Sequence, residues 1–212
     1  MGLIASAAAH FGIESPEMRG DSFEKPASQW ISPCAGVNQT ASTNRTAWPL
    51  TGGAVSLDLH HPWGYVFVNL GIGTDYPSFN ISLTPSLLNV TGNGTFCLPA
   101  VTLPGGVAIS EGTNASIQVV TSGASGSALY NCADITFTSK ATPLAADMCV
   151  NGTGVTGAIV DASQAQSAGS STSSAPASTS STASAASNVK SGSMVSAGVV
   201  AGVGALIVSW LL

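Results

Sequence analysis

Three histidines are the residues of this chain best suited to chemistry, and their placement is uneven. His10 follows Ala7–Ala8–Ala9, while His60 and His61 stand together before Pro62. The alanine run has the A-x-A form of a signal-peptidase site, so a cut after Ala9 would make His10 the first residue of the mature chain. A first-position histidine offers a metal ion two nitrogens, the free α-amine and the imidazole Nδ1, which close a chelate ring. One more imidazole completes a T-shaped set of three nitrogens, and a planar nitrogen array suits Cu(II). A terminal amine ordinarily titrates near about 7.7–8.0, so the ion displaces a proton readily near neutrality. Without the cut, that nitrogen is a peptide amide and the chelate does not exist.

Something must hold two distant histidines, and the sequence between them and beyond predicts strands. Apolar and polar residues alternate in Ala54–Leu59 and Tyr65–Leu70. Further strands are expected at Phe79–Leu83, Thr95–Val101, Ala115–Thr121 and Leu129–Phe137, separated by turn signals such as Gly92–Asn93–Gly94 and Pro104–Gly105–Gly106. No stretch of the body carries a long helical period. The expected fold is all-β, one immunoglobulin-like antiparallel β-sandwich over residues 10–153. His60 and His61 fall where the first clear strand ends, and Pro62 holds His61 extended. A histidine at a strand end is more often a solvated polar residue than a ligand.

The ends of the chain read differently. MGLIASAAA, residues 1–9, is apolar but short for a signal peptide and has no basic start. Residues 154–188 are dominated by Ser, Ala and Thr, too poor in apolar side chains to offset the entropy of ordering them, and read as a stalk. Residues 189–212 pair a polar spacer with an uncharged apolar tail that has no basic residue after it. With the small residues up to Asn188, this is the pattern of a removable GPI-anchor signal rather than a retained span, and Asn188 is the expected attachment point. Seven of the ten asparagines (Asn38, Asn44, Asn80, Asn89, Asn93, Asn114 and Asn151) start an N-x-S/T sequon. That excess suits an exported, N-glycosylated surface. Cys34, Cys97, Cys132 and Cys149 show no zinc-type spacing, and an even count in an exported chain favours two disulfides. Of the three pairings, Cys97–Cys132 with Cys34–Cys149 is the expected one. Only five basic residues stand against ten acidic ones, which excludes the basic stripe that nucleic acid requires.

Taken together, His10–Phe11, Arg19–Gly20, PCAGVNQT, NRTAWPLTGGAVSLDLHHP, GTFCLPAVTLP, EGTNASIQVVTSG and ALYNCADITF resemble the fungal copper-binding proteins related to lytic polysaccharide monooxygenases, the copper acquisition factor-like family. The likeness runs from His10 to about Phe137, and the GPI tail and stalk match as well. It implies that His10 supplies the amine and Nδ1, and that His61 supplies the second imidazole. His60 is the lesser candidate, one residue out of phase on the strand. It also implies a carboxylate near copper at Asp134. An acidic residue between Ala133 and Ile135 needs a charge partner in any case, although a plain strand aspartate is the simpler alternative.

Three functions follow as expectations. The first is a GPI-anchored protein on the outer face of the plasma membrane or in the cell wall, holding one Cu(II) for copper acquisition or homeostasis. Its partners would be the ion and either a membrane copper transporter or wall polysaccharide. The second is a copper-dependent polysaccharide monooxygenase. A carboxylate at the metal would favour Cu(II) over Cu(I) and crowd the place where oxygen binds, and only Trp63 and Tyr65 flank the histidines as a glycan platform. Binding is therefore preferred over catalysis. The third is a structural wall glycoprotein, indifferent to His10. No G-x-S-x-G elbow marks a hydrolase.

Overall fold

The computed structural model describes residues 10–40, 43–74, 77–123 and 126–160, all within one compact unit spanning Met1–Ser171. The expected signal segment 1–9, the stalk beyond Val160, Asn188 and the apolar tail lie outside the described residues.

Among the described residues, ten strands form two sheets. The smaller has the order β1 (Phe11–Ser15), β3 (Gly52–Leu59), β7 (Gly94–Thr102). The larger runs β10 (Thr156–Val160), β6 (Leu87–Thr91), β4 (Trp63–Ile72), β8 (Asn114–Ser122), β9 (Ala128–Phe137), β2 (Thr46–Trp48), with the short β5 (Ile81–Ser82) also on β4. All pairings are antiparallel except β2 with β9. Alternation explains the packing. Val66, Val68 and Leu70 of β4 point inward to meet Leu57 and Leu59 of β3, Ile117 and Val119 of β8, and Ala133, Ile135 and Phe137 of β9. Each of these valine, leucine, isoleucine and phenylalanine side chains, once buried, contributes about 1.5–3 kcal/mol. The chain is an all-β sandwich.

The predicted strands reappear as β3, β4, β7, β8 and β9, while the stretch expected at Phe79–Leu83 is strand only at Ile81–Ser82. Two further expectations are corrected. Thr156–Val160 falls within the expected stalk but pairs residue by residue with Leu87–Thr91, so the β-domain extends to Val160 rather than stopping at 153. The disulfides are Cys34–Cys132 and Cys97–Cys149, not the expected pairing. The reason is the long segment between β1 and β2, which folds back over the β9 side of the larger sheet. Its backbone meets β9 through Arg19 N–H on the Cys132 carbonyl (2.8 Å) and Tyr130 N–H on the Gln29 carbonyl (2.8 Å). Gln118 of β8 donates to the Pro33 carbonyl at 2.9 Å, which sets Cys34 over Cys132.

Candidate metal centre

β1 brings the start of the described chain to the end of β3. Phe11 pairs with Leu59, so the next step outward sets His10 beside His60, whose N–H donates to the His10 carbonyl at 3.1 Å. Because strand side chains alternate, and Phe11 and Leu59 both face the core, His10, His60 and Asp58 share the outer side of this small sheet. Phe23 packs on both rings, with centroids 5.9 Å from His10 and 5.8 Å from His60. His60 is exposed and donates its Nε2–H to Asp58 Oδ2 at 2.8 Å.

His61 is different. Only 6% of it is exposed, and its Nδ1–H donates to the Trp63 carbonyl at 3.0 Å, a bond that leaves the lone pair on Nε2. That Nε2 is buried and has no hydrogen-bond partner. Burial lowers the His61 pKa below the ordinary imidazole value; the bond to Trp63 opposes this and the neighbouring His60 adds to it. The ring is thus neutral at physiological pH, with one nitrogen anchored to backbone and the other open. A ligating histidine has this arrangement, since the second nitrogen of such a ring is nearly always held by a carbonyl or carboxylate. Gly64 makes the room: a Cβ there would stand 2.8 Å from His61 Cε1 and 3.3 Å from Nδ1.

The structure does not bring Asp134 to these histidines. On β9 the core face carries Leu129, Ala133, Ile135 and Phe137, and Asn131 on that face donates to the Phe11 carbonyl at 2.7 Å. Asp134 is out of phase with them and points to the opposite face, with Cys132. There it is fully buried, and its two oxygens receive Arg19 Nε at 2.7 Å and Nη2 at 2.9 Å, together with Ser116 and Gln39. The acidic residue does have a charge partner, but the partner is arginine. Burial by itself would raise its pKa; the bonds from Arg19, Ser116 and Gln39 outweigh that and hold the carboxyl below its ordinary value. A cavity of about 530 Å³ over this face is lined by Arg19, Ile31, Val37 and Phe79 and by none of the histidines.

No group of three His, Cys, Asp or Glu side chains among the described residues is arranged to hold a metal. A set built from one terminal amine and two imidazoles needs only two side chains, so it would not form such a group. Residues 8–154 match the copper acquisition factor BIM1-like domain. The chain belongs to that family. Among curated proteins it is similar to the lytic polysaccharide monooxygenase-like protein ham-7 of Neurospora crassa, 40% identical over 172 residues that cover 70% of this chain and 74% of the other. It also resembles the lytic polysaccharide monooxygenase-like proteins X325 of Hypocrea jecorina and Aspergillus fumigatus. The first is 39% identical, covering 68% of this chain and 69% of its own; the second is 35% identical, covering 66% and 62%.

Within this copper acquisition factor-like domain, several residues that shape the histidine end were not singled out in the sequence. Asp58 is a carboxylate at that end, on the outer face with His10 and bonded to His60. Gly64 clears the His61 ring, and Trp63, named in the sequence only for its aromatic side chain, anchors that ring through a backbone carbonyl that no side-chain pattern reveals. Gln29 and Asn131 grip Phe11, the residue after His10. Alternation on β3 was the available signal for Asp58; a glycine in a strand next to a histidine was the signal for Gly64. Gly64→Ala should displace the His61 ring and break its bond to Trp63. If His61 is a copper ligand, Cu(II) titration should show affinity reduced about 10–100-fold, the usual effect of disturbing a ligand's support. Unchanged affinity would mean that the ring position does not matter to the metal.

Proposed function

We propose that this protein holds a copper ion as cargo at its histidine end, through the freed α-amine and Nδ1 of His10 and the Nε2 of His61. The observation that carries this reading is the buried, neutral and partnerless Nε2 of His61 beside an Nδ1 already committed to backbone. A buried polar atom without a partner costs about 1–3 kcal/mol, which a bound ion relieves. Membership of a copper acquisition factor-like family supports the choice of ion. Three nitrogens in a plane favour Cu(II), and the ordering of divalent affinities places copper above zinc. His60 stays outside the set because it is exposed and, unlike His61, holds no buried nitrogen without a partner. On this reading the sequons, stalk and apolar tail hold the domain outside the cell on a glycolipid anchor, where it acquires copper.

The names of the relatives raise a second reading, polysaccharide oxidation, and one observation favours it. Trp63 is 37% exposed and meets Tyr65 edge-on beside the histidine loop. Two sequons weigh against a polymer there. Gly92 N–H donates to the Pro62 carbonyl at 2.7 Å, which sets exposed Asn93 next to the histidine loop. Tyr65 pairs directly with Asn89, so the two side chains share a face. Glycans at these positions would crowd a flat insoluble chain while admitting a small ion. Glycopeptide mass spectrometry of secreted protein is expected to find Asn93 occupied; a bare Asn93 would remove this argument against the polymer.

The deciding experiment combines N-terminal sequencing of secreted protein with copper titration. Expected are His10 as the first residue and one Cu(II) per chain. A blocked or differently trimmed terminus would sink the chelate, and ascorbate-driven oxidation of chitin or glucan at enzyme-like rates would put the second reading first.

A further inference from the structure

The head of β1 is tied down by a glutamine. Gln29 is fully buried, unusual for this residue type, and both ends of its amide serve Phe11. Its Oε1 accepts from the Phe11 N–H at 3.0 Å, and its Nε2 donates to the Phe11 carbonyl at 2.8 Å and to Ser22 Oγ at 2.8 Å. Asn131 of β9, equally buried, donates into the same carbonyl at 2.7 Å. The backbone groups of Phe11 that face away from β3 are therefore taken by side chains, and Gln29 stands in for a neighbouring strand one residue long. Gln29 is itself held, since its own carbonyl accepts the Tyr130 N–H of β9 at 2.8 Å.

A chain terminus frays unless something ties it down. In a chain that starts at His10, the first peptide plane joins His10 to Phe11, and Gln29 grips the nitrogen of that plane. We infer that Gln29 is a positioning residue for the copper-holding head. By clamping Phe11, with Asn131 as the second point of the clamp, it keeps the amine and ring of His10 in place for chelation. The inference rests on the histidine reading above and adds to it the device that makes a mobile terminus a preorganised ligand. Ser22 Oγ only accepts a further bond from Gln29 Nε2 and touches neither Phe11 group, so both grips on Phe11 survive its loss.

The test uses the full processed protein as wild type, Gln29→Leu, Gln29→Glu, Ser22→Ala and Phe137→Leu. Gln29→Leu removes all three bonds at similar volume; Gln29→Glu keeps the acceptor for Phe11 N–H and loses the donors. Phe137→Leu loosens the core at Trp48 and serves as a stability control. Three quantities are read: Cu(II) affinity, protons released on binding near pH 6.5, and the rate at which an aminopeptidase removes His10 from the metal-free protein. Gln29→Leu is expected to weaken Cu(II) binding 10–100-fold, to lower proton release because the amine no longer joins, and to speed trimming. Gln29→Glu should fall between it and wild type, and it carries the comparison if the leucine variant does not fold. Ser22→Ala and Phe137→Leu should lower the melting temperature and leave all three readings unchanged. Wild-type affinity and trimming in both Gln29 variants would overturn the inference, as would equal shifts in Gln29→Leu and Phe137→Leu. If the wild type takes no copper, the histidine reading fails. The trimming rate then still judges the clamp: faster trimming in the Gln29 variants upholds it, and an unchanged rate overturns it.

Discussion

Asp134→Ala is expected to destabilise the domain by about 3–5 kcal/mol while leaving copper affinity of the folded fraction unchanged. The side chains of Arg19 and Asp134 are 6% and 0% exposed, and the guanidinium spends Nε and Nη2 on the carboxylate. Removing the acid leaves a buried cation with no counter-charge, and breaking such a pair from one side typically costs that much. Set against a total stability of about 5–15 kcal/mol, this is a large fraction. Denaturant melts should show a lower midpoint at an unchanged slope. A double change, Arg19→Met with Asp134→Leu, should restore much of the loss because it removes both charges. The sign of the pH dependence follows from the lowered pKa of Asp134. The unfolded carboxyl titrates near about 3.9, so its contribution is complete above that pH and fades as pH falls through the lower folded value. Acid should therefore weaken the wild type more steeply than the double variant. A loss below about 1 kcal/mol, or copper binding that disappears in a stably folded Asp134→Ala, would return Asp134 to the metal.

The other large effect concerns the histidines. His61→Ala should reduce Cu(II) affinity by more than about a hundredfold, since it removes a donor rather than a donor's support. An uncleaved extension before His10 should do the same, because the amine becomes an amide. His60→Ala removes the bond to Asp58 and one ring against Phe23, both at an exposed position, and should change affinity several-fold at most. Competition titration across the three variants provides the ranking. Should His60→Ala prove the more damaging, His60, which the strand register sets beside His10, would replace His61 as the second imidazole.

Strand-level legibility varied with the surroundings of each strand. β4 was readable because one face is buried and the other partly wet, which writes a period of two into Tyr65–Leu70. β1, β2, β6 and β10 were not readable: they are three to five residues long, too short for a period to emerge. β10 is nearly all exposed, and its composition blends into the Ser- and Ala-rich segment after it.

By itself the sequence determined the all-β class and a histidine pair at the end of a strand, since each is written in local spacing and residue type. Only the tertiary structure decided which cysteines meet, that Asp134 serves Arg19, and that Gln29 grips the residue after His10. Those outcomes depend on how the segment between β1 and β2 folds back over β9. That path is set by contacts between residues 18 to 120 positions apart, and no local pattern encodes it.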